Sequence, residues 1–249
     1  MTRAATRAAT TTATAATAAA TAPAEPAAGP APHVSVWSVR VPPARELDAL
    51  DLSVLDAEEH RRIAKFRHEA DRVRYAFAHV ALRRVLGARL DVEPYAVRFG
   101  RDPCPLCSGP HGRPVLEGPA ARPRFSLSHS GRRVLIAVAE PTVGVDVEGI
   151  PSGTTVMDVG RALHPAERAA IASVPLAGRA AAFARVWARK EAYLKGIGTG
   201  LGRDLGKDDT GSPIAGWRLV DLPVDDGHAA ALAVHSPLTP AVDMRDSLP

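Results

Sequence analysis

Phe183–Leu201 reads FARVWARKEAYLKGIGTGL, and the arrangement of the whole chain follows from it. At the helical period, Phe183, Val186, Trp187, Leu194 and Ile197 fall on one side and form an apolar stripe suited to a core. Lys190 projects into that stripe, about 20° from the Phe183 direction at roughly 100° per residue. Glu191 and Lys195 stand four residues apart on its flank. The glycine-rich turn from Gly196 ends the helix. A cation inside the stripe and an acid–base pair along its edge describe a helix that packs on one side and lines a charged cleft on the other. The same residues also allow a plainer arrangement, in which Lys190 snorkels to water and Glu191–Lys195 is a surface pair.

Upstream, Gly144–Glu148 (GVDVE) puts Asp146 and Glu148 at i and i+2 of a strand, so both project from one face while Val145 and Val147 point to the other. Adjacent carboxylates repel unless a cation or a shared proton lies between them. Oxygen-only ligands suit Mg²⁺, with water and phosphate oxygens completing its shell. The alternative is an exposed strand edge blunted by acids. Phe125–Gly131 (FSLSHSG) ends another strand in hydroxyls and an imidazole. It lacks the G-x-S-x-G of a nucleophile elbow, and its donors can grip a phosphate or be structural. His111-Gly112-Arg113-Pro114 brings a stiffened arginine near the same turns.

The remaining elements follow from periodicity and punctuation. His33–Arg40 alternates as a first strand. Asp56-Ala-Glu-Glu59 resembles a capping box opening a helix through Phe66. A second helix over Ala70–Leu90 buries Val73, Ala76, Phe77, Val80 and Leu86. Ala96–Phe99, Arg124–Ser128, Val134–Ala139 and Val143–Glu148 read as strands. Thr155–Leu163, Pro165–Ser173 and Ala177–Lys195 read as helices, and Ile214–Leu222 and His228–His235 as a hairpin around Asp225-Asp226-Gly227. The pattern is α+β given twice: an N-terminal half over 33–140 and a C-terminal half over 141–236, joined at Glu140-Pro141. A site in the cleft between them draws on both. Residues 1–32, rich in Ala, Thr and Pro, cannot bury enough surface to order themselves, and 237–249 reads as a flexible tail.

The chain has 249 residues, 46% of them hydrophobic, enough for a real core. No stretch approaches the roughly 20 apolar residues of a membrane span and no signal peptide is present, so a cytoplasmic protein without membrane contact is expected. The net charge is +4, but basic residues concentrate between Arg61 and Arg101, which points to an anionic partner. Most of them are expected on a solvated face. Cys104 and Cys107, with His111, could begin a zinc site to which His68, His79 or His129 adds a fourth ligand. Their Pro/Gly setting favours a reduced structural turn instead.

Taken together, Gly112-Arg113-Pro114, Phe125–Ser130 (FSLSHS), Val143–Glu148 (VGVDVE) and Trp187–Lys195 (WARKEAYLK) resemble the 4′-phosphopantetheinyl transferases, in that order along the chain. The two-halved length is similar to the Sfp-type, pseudo-dimeric branch. The resemblance spans Val34–His235. It implies transfer of the phosphopantetheine arm of coenzyme A to a serine of an apo acyl or peptidyl carrier protein, with holo-carrier synthase activity and release of adenosine 3′,5′-bisphosphate. By the same resemblance, Asp146, Glu148 and Glu191 would hold Mg²⁺, or Mn²⁺ in its place. Glu191 would act as base and Lys195 would steady the leaving group. Lys190 would hold the pyrophosphate, Ser128 and His129 the 3′-phosphate, and Arg62, Arg74 and Arg113 other coenzyme phosphates. Lys65 is a further neighbour. Arg113 replaces the family's usual lysine, exchanging a point charge for a planar fork.

A monomer acting on an acidic carrier is expected, with the basic helices as docking face. Two other function classes stay open on residues alone. A nucleic-acid-binding module would use the Arg61–Arg101 surface, although aromatics for base stacking are few. A Mg²⁺-dependent phosphohydrolase would use the same acids.

Overall fold

The computed structural model describes residues 30–43, 50–118, 122–152 and 160–249. The expected disordered tail falls mostly outside these residues, as does most of the helix expected over Thr155–Leu163.

Strand β1 (His33–Arg40) is followed by helices α1 (Ala57–Lys65) and α2 (Glu69–Leu90), a short hairpin of β2 (Phe99–Arg101) and β3 (Pro114–Leu116), and strands β4 (Arg124–Ser130) and β5 (Arg133–Ala139). Then come β6 (Val143–Gly149), helices α3 (Pro165–Ser173) and α4 (Arg179–Ile197), β7 (Trp217–Leu222), β8 (His228–His235) and β9 (Ala241–Arg245). The order strand, helices, strands occurs twice, which is the expected α+β plan. The first sheet runs β4-β5-β1-β9 and the second β6-β8-β7.

The period-2 faces of the strands decide the layering. In β1 and β5, Trp37, Val39, Val134 and Ile136 face the apolar side of α2, where Val73, Leu82 and Leu86 are buried. The opposite faces, with Val34, Val36, Leu135 and Ala137, share one core with Val145, Val147, Leu232 and Val234 of the second sheet. The remaining face of that second sheet, through Ala231 and Ala233, packs on Ala188, Ala192 and Leu194 of α4. Helix α4 crosses β6 closely: a Cβ on Gly144 would lie 2.0 Å from the Ala192 carbonyl oxygen. Only glycine allows that approach, which sets the faces of β6 and α4 that carry charge against each other.

Three expectations are corrected. Residues 237–249 are not a free tail, because β9 pairs parallel with β1, Val34 opposite Val242, and Val242 and Met244 pack on the core. The exposed edge of β1 supplies a hydrogen-bond partner that a polar, proline-containing segment does not advertise in its own sequence. The strand expected at Ala96–Phe99 is displaced to Phe99–Arg101, because Pro94–Ala96 forms a 3₁₀ turn with Pro at its start. Arg83 leaves the solvated face: 1% exposed, it donates to Glu59 Oε2 and Asp56 Oδ2, each at 2.8 Å. The Asp56 capping box forms as read.

Candidate functional site

Ser126, Ser128 and Ser130 alternate along β4, so their hydroxyls share one face. Each accepts a backbone N–H of β6: Val145 to Ser126 at 3.0 Å, Val147 to Ser128 at 3.3 Å and Gly149 to Ser130 at 3.1 Å. This side-chain ladder joins the two sheets and carries β6 into the region between the halves. Ser128 also donates to Asp146 Oδ1 at 2.7 Å. The period-2 serines were the available signal for this role, but only Ser128 was singled out from the sequence.

Asp146 is 2% exposed. Lys195 Nζ lies 2.6 Å from its Oδ1, while Oδ2 is buried without a hydrogen-bond partner. Burial raises the Asp146 pKa, against the opposing pull of Lys195. Burial and then the Asp146 charge push Glu148 up to about 7, with Glu191 adding to the effect. Glu191 is raised by burial and by Asp146. All three acids resist ionising chiefly because they are buried, and the Asp146 charge adds to the effect at Glu148 and Glu191. The exposed-edge alternative for Asp146 does not hold, since the residue is packed under α4. Trp187, for all its place in the apolar stripe, lies close enough to Glu148 to oppose the rise of that acid's pKa slightly.

These residues fit a divalent cation. The unpartnered Asp146 Oδ2 is a buried acceptor awaiting positive charge, and the donor set is hard oxygen of the kind Mg²⁺ selects. The acids are nonetheless loosely spaced. Among the described residues, only Cys104, Cys107 and His111 form a group of three His, Cys, Asp or Glu ligand atoms within 4.8 Å of one another. Uncompensated carboxylates separate by mutual repulsion, and Lys195 takes one oxygen of Asp146.

His129 stands at the end of β4. Burial, and then the nearby Arg74 charge, lower its pKa to about 4, so it is neutral at pH 7. Its Nδ1 is buried without a partner. Arg74 pairs with Asp71 and, with Arg132, lines a groove that also includes Val73 and Gly131. Arg62 and Lys65 are exposed on α1.

Three sequence-derived assignments change, the first being Ser128, whose hydroxyl is committed to Asp146 and the Val147 N–H instead of a 3′-phosphate. Lys190 is 1% exposed and turned away from the acids, with Nζ 2.9 Å from Glu167 Oε2 and a further bond to the Asp208 carbonyl. It cannot reach a pyrophosphate in the cleft, because a buried carboxylate already holds it. Arg113 is likewise engaged: Nε meets Asp102 Oδ2 at 2.8 Å and Nη1 donates to the Gly196 carbonyl at 2.7 Å. Its planar fork thus ties the β2–β3 loop to the end of α4, with two donors held at a fixed angle to each other.

Residues 142–235, which include GVDVE and the whole of α4, match the 4′-phosphopantetheinyl transferase superfamily. The 4′-phosphopantetheinyl transferase HetI of Nostoc is 29% identical over 214 residues, 81% of this chain and 87% of that protein. A 4′-phosphopantetheinyl transferase of Bacillus subtilis is 26% identical over 179 residues, 71% of this chain and 74% of its own length. Sfp of Bacillus subtilis is 24% identical over 165 residues, covering 66% of this chain and 69% of Sfp.

Proposed function

We propose that this chain, which belongs to the 4′-phosphopantetheinyl transferase superfamily, transfers the 4′-phosphopantetheine arm of coenzyme A to a serine of an apo carrier protein. The serine Oγ–phosphorus bond forms, the bond from that phosphorus to the bridging oxygen breaks, and adenosine 3′,5′-bisphosphate leaves. The observation that carries the site assignment is the buried, unpartnered Asp146 Oδ2 beside two carboxylates with raised pKa values.

Asp146, Glu148 and Glu191 would hold Mg²⁺, or Mn²⁺ in its place. When bound, the ion neutralises charge on the diphosphate. Glu191 accepts the proton of the attacking serine, directly or through water. Lys195 fixes Asp146 Oδ1, reaches the Val145 carbonyl at 3.4 Å and offers its third N–H to the departing phosphate oxygen. Ser128 keeps Asp146 oriented. His129, with Arg74 behind it, donates from Nδ1 to the 3′-phosphate and takes up a proton as the phosphate arrives. Phosphoryl transfer demands little more of a protein than positioning and charge, which these groups supply.

The exposed arginines of α1, α2 and the turn between them, Arg61, Arg62, Arg67 and Arg84 among them, form a docking face for an acidic carrier. The protein works as a monomer in the cytoplasm and includes acyl carrier proteins among its acceptors. Among the described residues no helix is long and apolar enough to cross a membrane.

The test is mass spectrometry of an apo acyl carrier protein after incubation with coenzyme A and Mg²⁺. Addition of the phosphopantetheine mass is expected with the wild-type chain and its loss with Asp146→Asn. An unmodified carrier with wild-type enzyme, or release of inorganic phosphate without acceptor, overturns the reading.

A further inference from the structure

The loop between β2 and β3 takes no part in that chemistry, yet it holds a compact set of soft ligands. Cys104, Cys107 and His111 bring one ligand atom each within 4.8 Å of the others. Cys107 Sγ and His111 Nε2 are 3.0 Å apart. A tetrahedral zinc with bonds of about 2.0–2.3 Å places its ligand atoms roughly 3.5–3.8 Å from one another. The cluster therefore needs only small adjustments to close around an ion.

The backbone is shaped for this closure. Ser108 donates its N–H to the Cys104 carbonyl at 2.7 Å, and Cys104 donates to the Gly109 carbonyl at 2.8 Å. Ser108 adopts φ 60°, which reverses the chain directly after the second cysteine. At Gly109, an added Cβ would lie 3.0 Å from His111 Cδ2 and 3.4 Å from Cys107 Sγ, so a side chain there would press on the imidazole and the thiol.

The geometry points to a zinc site made by Cys104 Sγ, Cys107 Sγ and His111 Nε2, separate from the carboxylate centre. Zinc replaces the two thiol protons, and two thiolates cancel its charge, so the complex with a neutral imidazole and a water as fourth ligand carries no net charge. None of His68, His79 and His129 belongs to the cluster; His79, for one, bonds Glu59 Oε1 at 2.8 Å. Cys107 and His111 are exposed, which gives the ion a way in.

The loop base is tied down by Arg113, whose Nη1 reaches the Gly196 carbonyl at the end of α4. The loop tip also meets the turn after α4, since a Cβ on Gly202 would stand 3.4 Å from Leu106 Cδ1. Zinc thus braces the loop against the end of the helix that carries Glu191 and Lys195.

The test uses the full chain, reduced and freed of metal, and needs no coenzyme. Because the sequence contains only 2 cysteines, thiol labelling reports on this site alone. One equivalent of Zn²⁺ is expected to protect Cys107 from alkylation, with one zinc retained per chain by elemental analysis. Excess Mg²⁺ leaves labelling unchanged, and Glu191→Gln keeps the zinc response whatever happens to transfer. His111→Ala, an exposed change, should raise the zinc needed for equal protection at least about 100-fold, the upper end of what outer-shell changes alone cost. Labelling indifferent to zinc, equal protection by Mg²⁺, or isolation of the unreduced chain with a Cys104–Cys107 disulfide overturns the assignment.

Discussion

Helix α4 carries two lysines, five residues apart, each paired with a carboxylate of low exposure, and the two pairs are built to opposite ends. On one side, Lys190 meets Glu167, which also accepts the Thr210 N–H at 2.9 Å, the Thr210 hydroxyl at 2.6 Å and the His164 N–H at 3.2 Å. On the other, Lys195 meets Asp146, whose second oxygen has no partner and whose neighbours Glu148 and Glu191 add negative charge. The first pair is complete, so it holds α3 and the loop after α4 in place. The second is short of positive charge, which leaves Asp146 Oδ2 open to a further cation. Burial of a charge pair therefore says little about function; what distinguishes the two is whether every oxygen is satisfied.

The sharpest way to break this contrast is Asp146→Asn. The change keeps shape and removes one charge from the unfinished side, so transfer should fall at least about 10³-fold, several kcal/mol of barrier. Melting should shift little, and turnover within tenfold of wild type would end the distinction. Lys190→Met attacks the finished side. It leaves Glu167 buried without its cation, which costs about 3–5 kcal/mol of stability in chemical denaturation. The KM for coenzyme A should stay within about threefold; a large rise would return Lys190 to the phosphates.

A smaller effect is expected at His129. His129→Ala should weaken coenzyme A binding about tenfold, roughly 1.4 kcal/mol, and change binding of the dephospho form hardly at all. Calorimetry with both ligands checks this, and equal losses would remove the 3′-phosphate contact.

The last prediction concerns pH. The folded pKa of Glu148, about 7, lies above its ordinary 4.5, so the folded state binds more protons between those values. With a chelator present, stability from this group is full below about pH 4.5 and is lost as pH rises through 7. Glu148→Gln should flatten that slope by roughly 1 kcal/mol, discounted for partial exposure. Mg²⁺ at pH 8 should restore stability to the wild type more than to the variant. A wild-type urea midpoint that is flat from pH 5 to 8 without metal contradicts this.

Much of the fold was legible because period and punctuation act locally. The α1 capping box, the α2 stripe, the Val145/Val147 face of β6 and the 228–235 strand depend on neighbours in sequence and came out as read. Ala241–Arg245 did not, because its pairing with β1 spans most of the chain. Arg83 did not either, because a guanidinium among surface arginines looks like them until Glu59 and Asp56 are seen around it. At the site, the acids and Lys195 were legible from strand and helix spacing. The direction of Lys190, the anchoring of Arg113 and the hold of Ser128 on Asp146 were not.

By itself the sequence determined which chemical groups this protein owns and on which face of its own element each stands: three acids, a lysine and a histidine on two strands and a helix. Tertiary structure alone decided which of them remain incomplete. Satisfaction of a buried charge depends on partners brought from elsewhere in the chain, Glu167 and Asp208 for Lys190, Ser128 and Lys195 for Asp146. Spacing along one element carries no record of them.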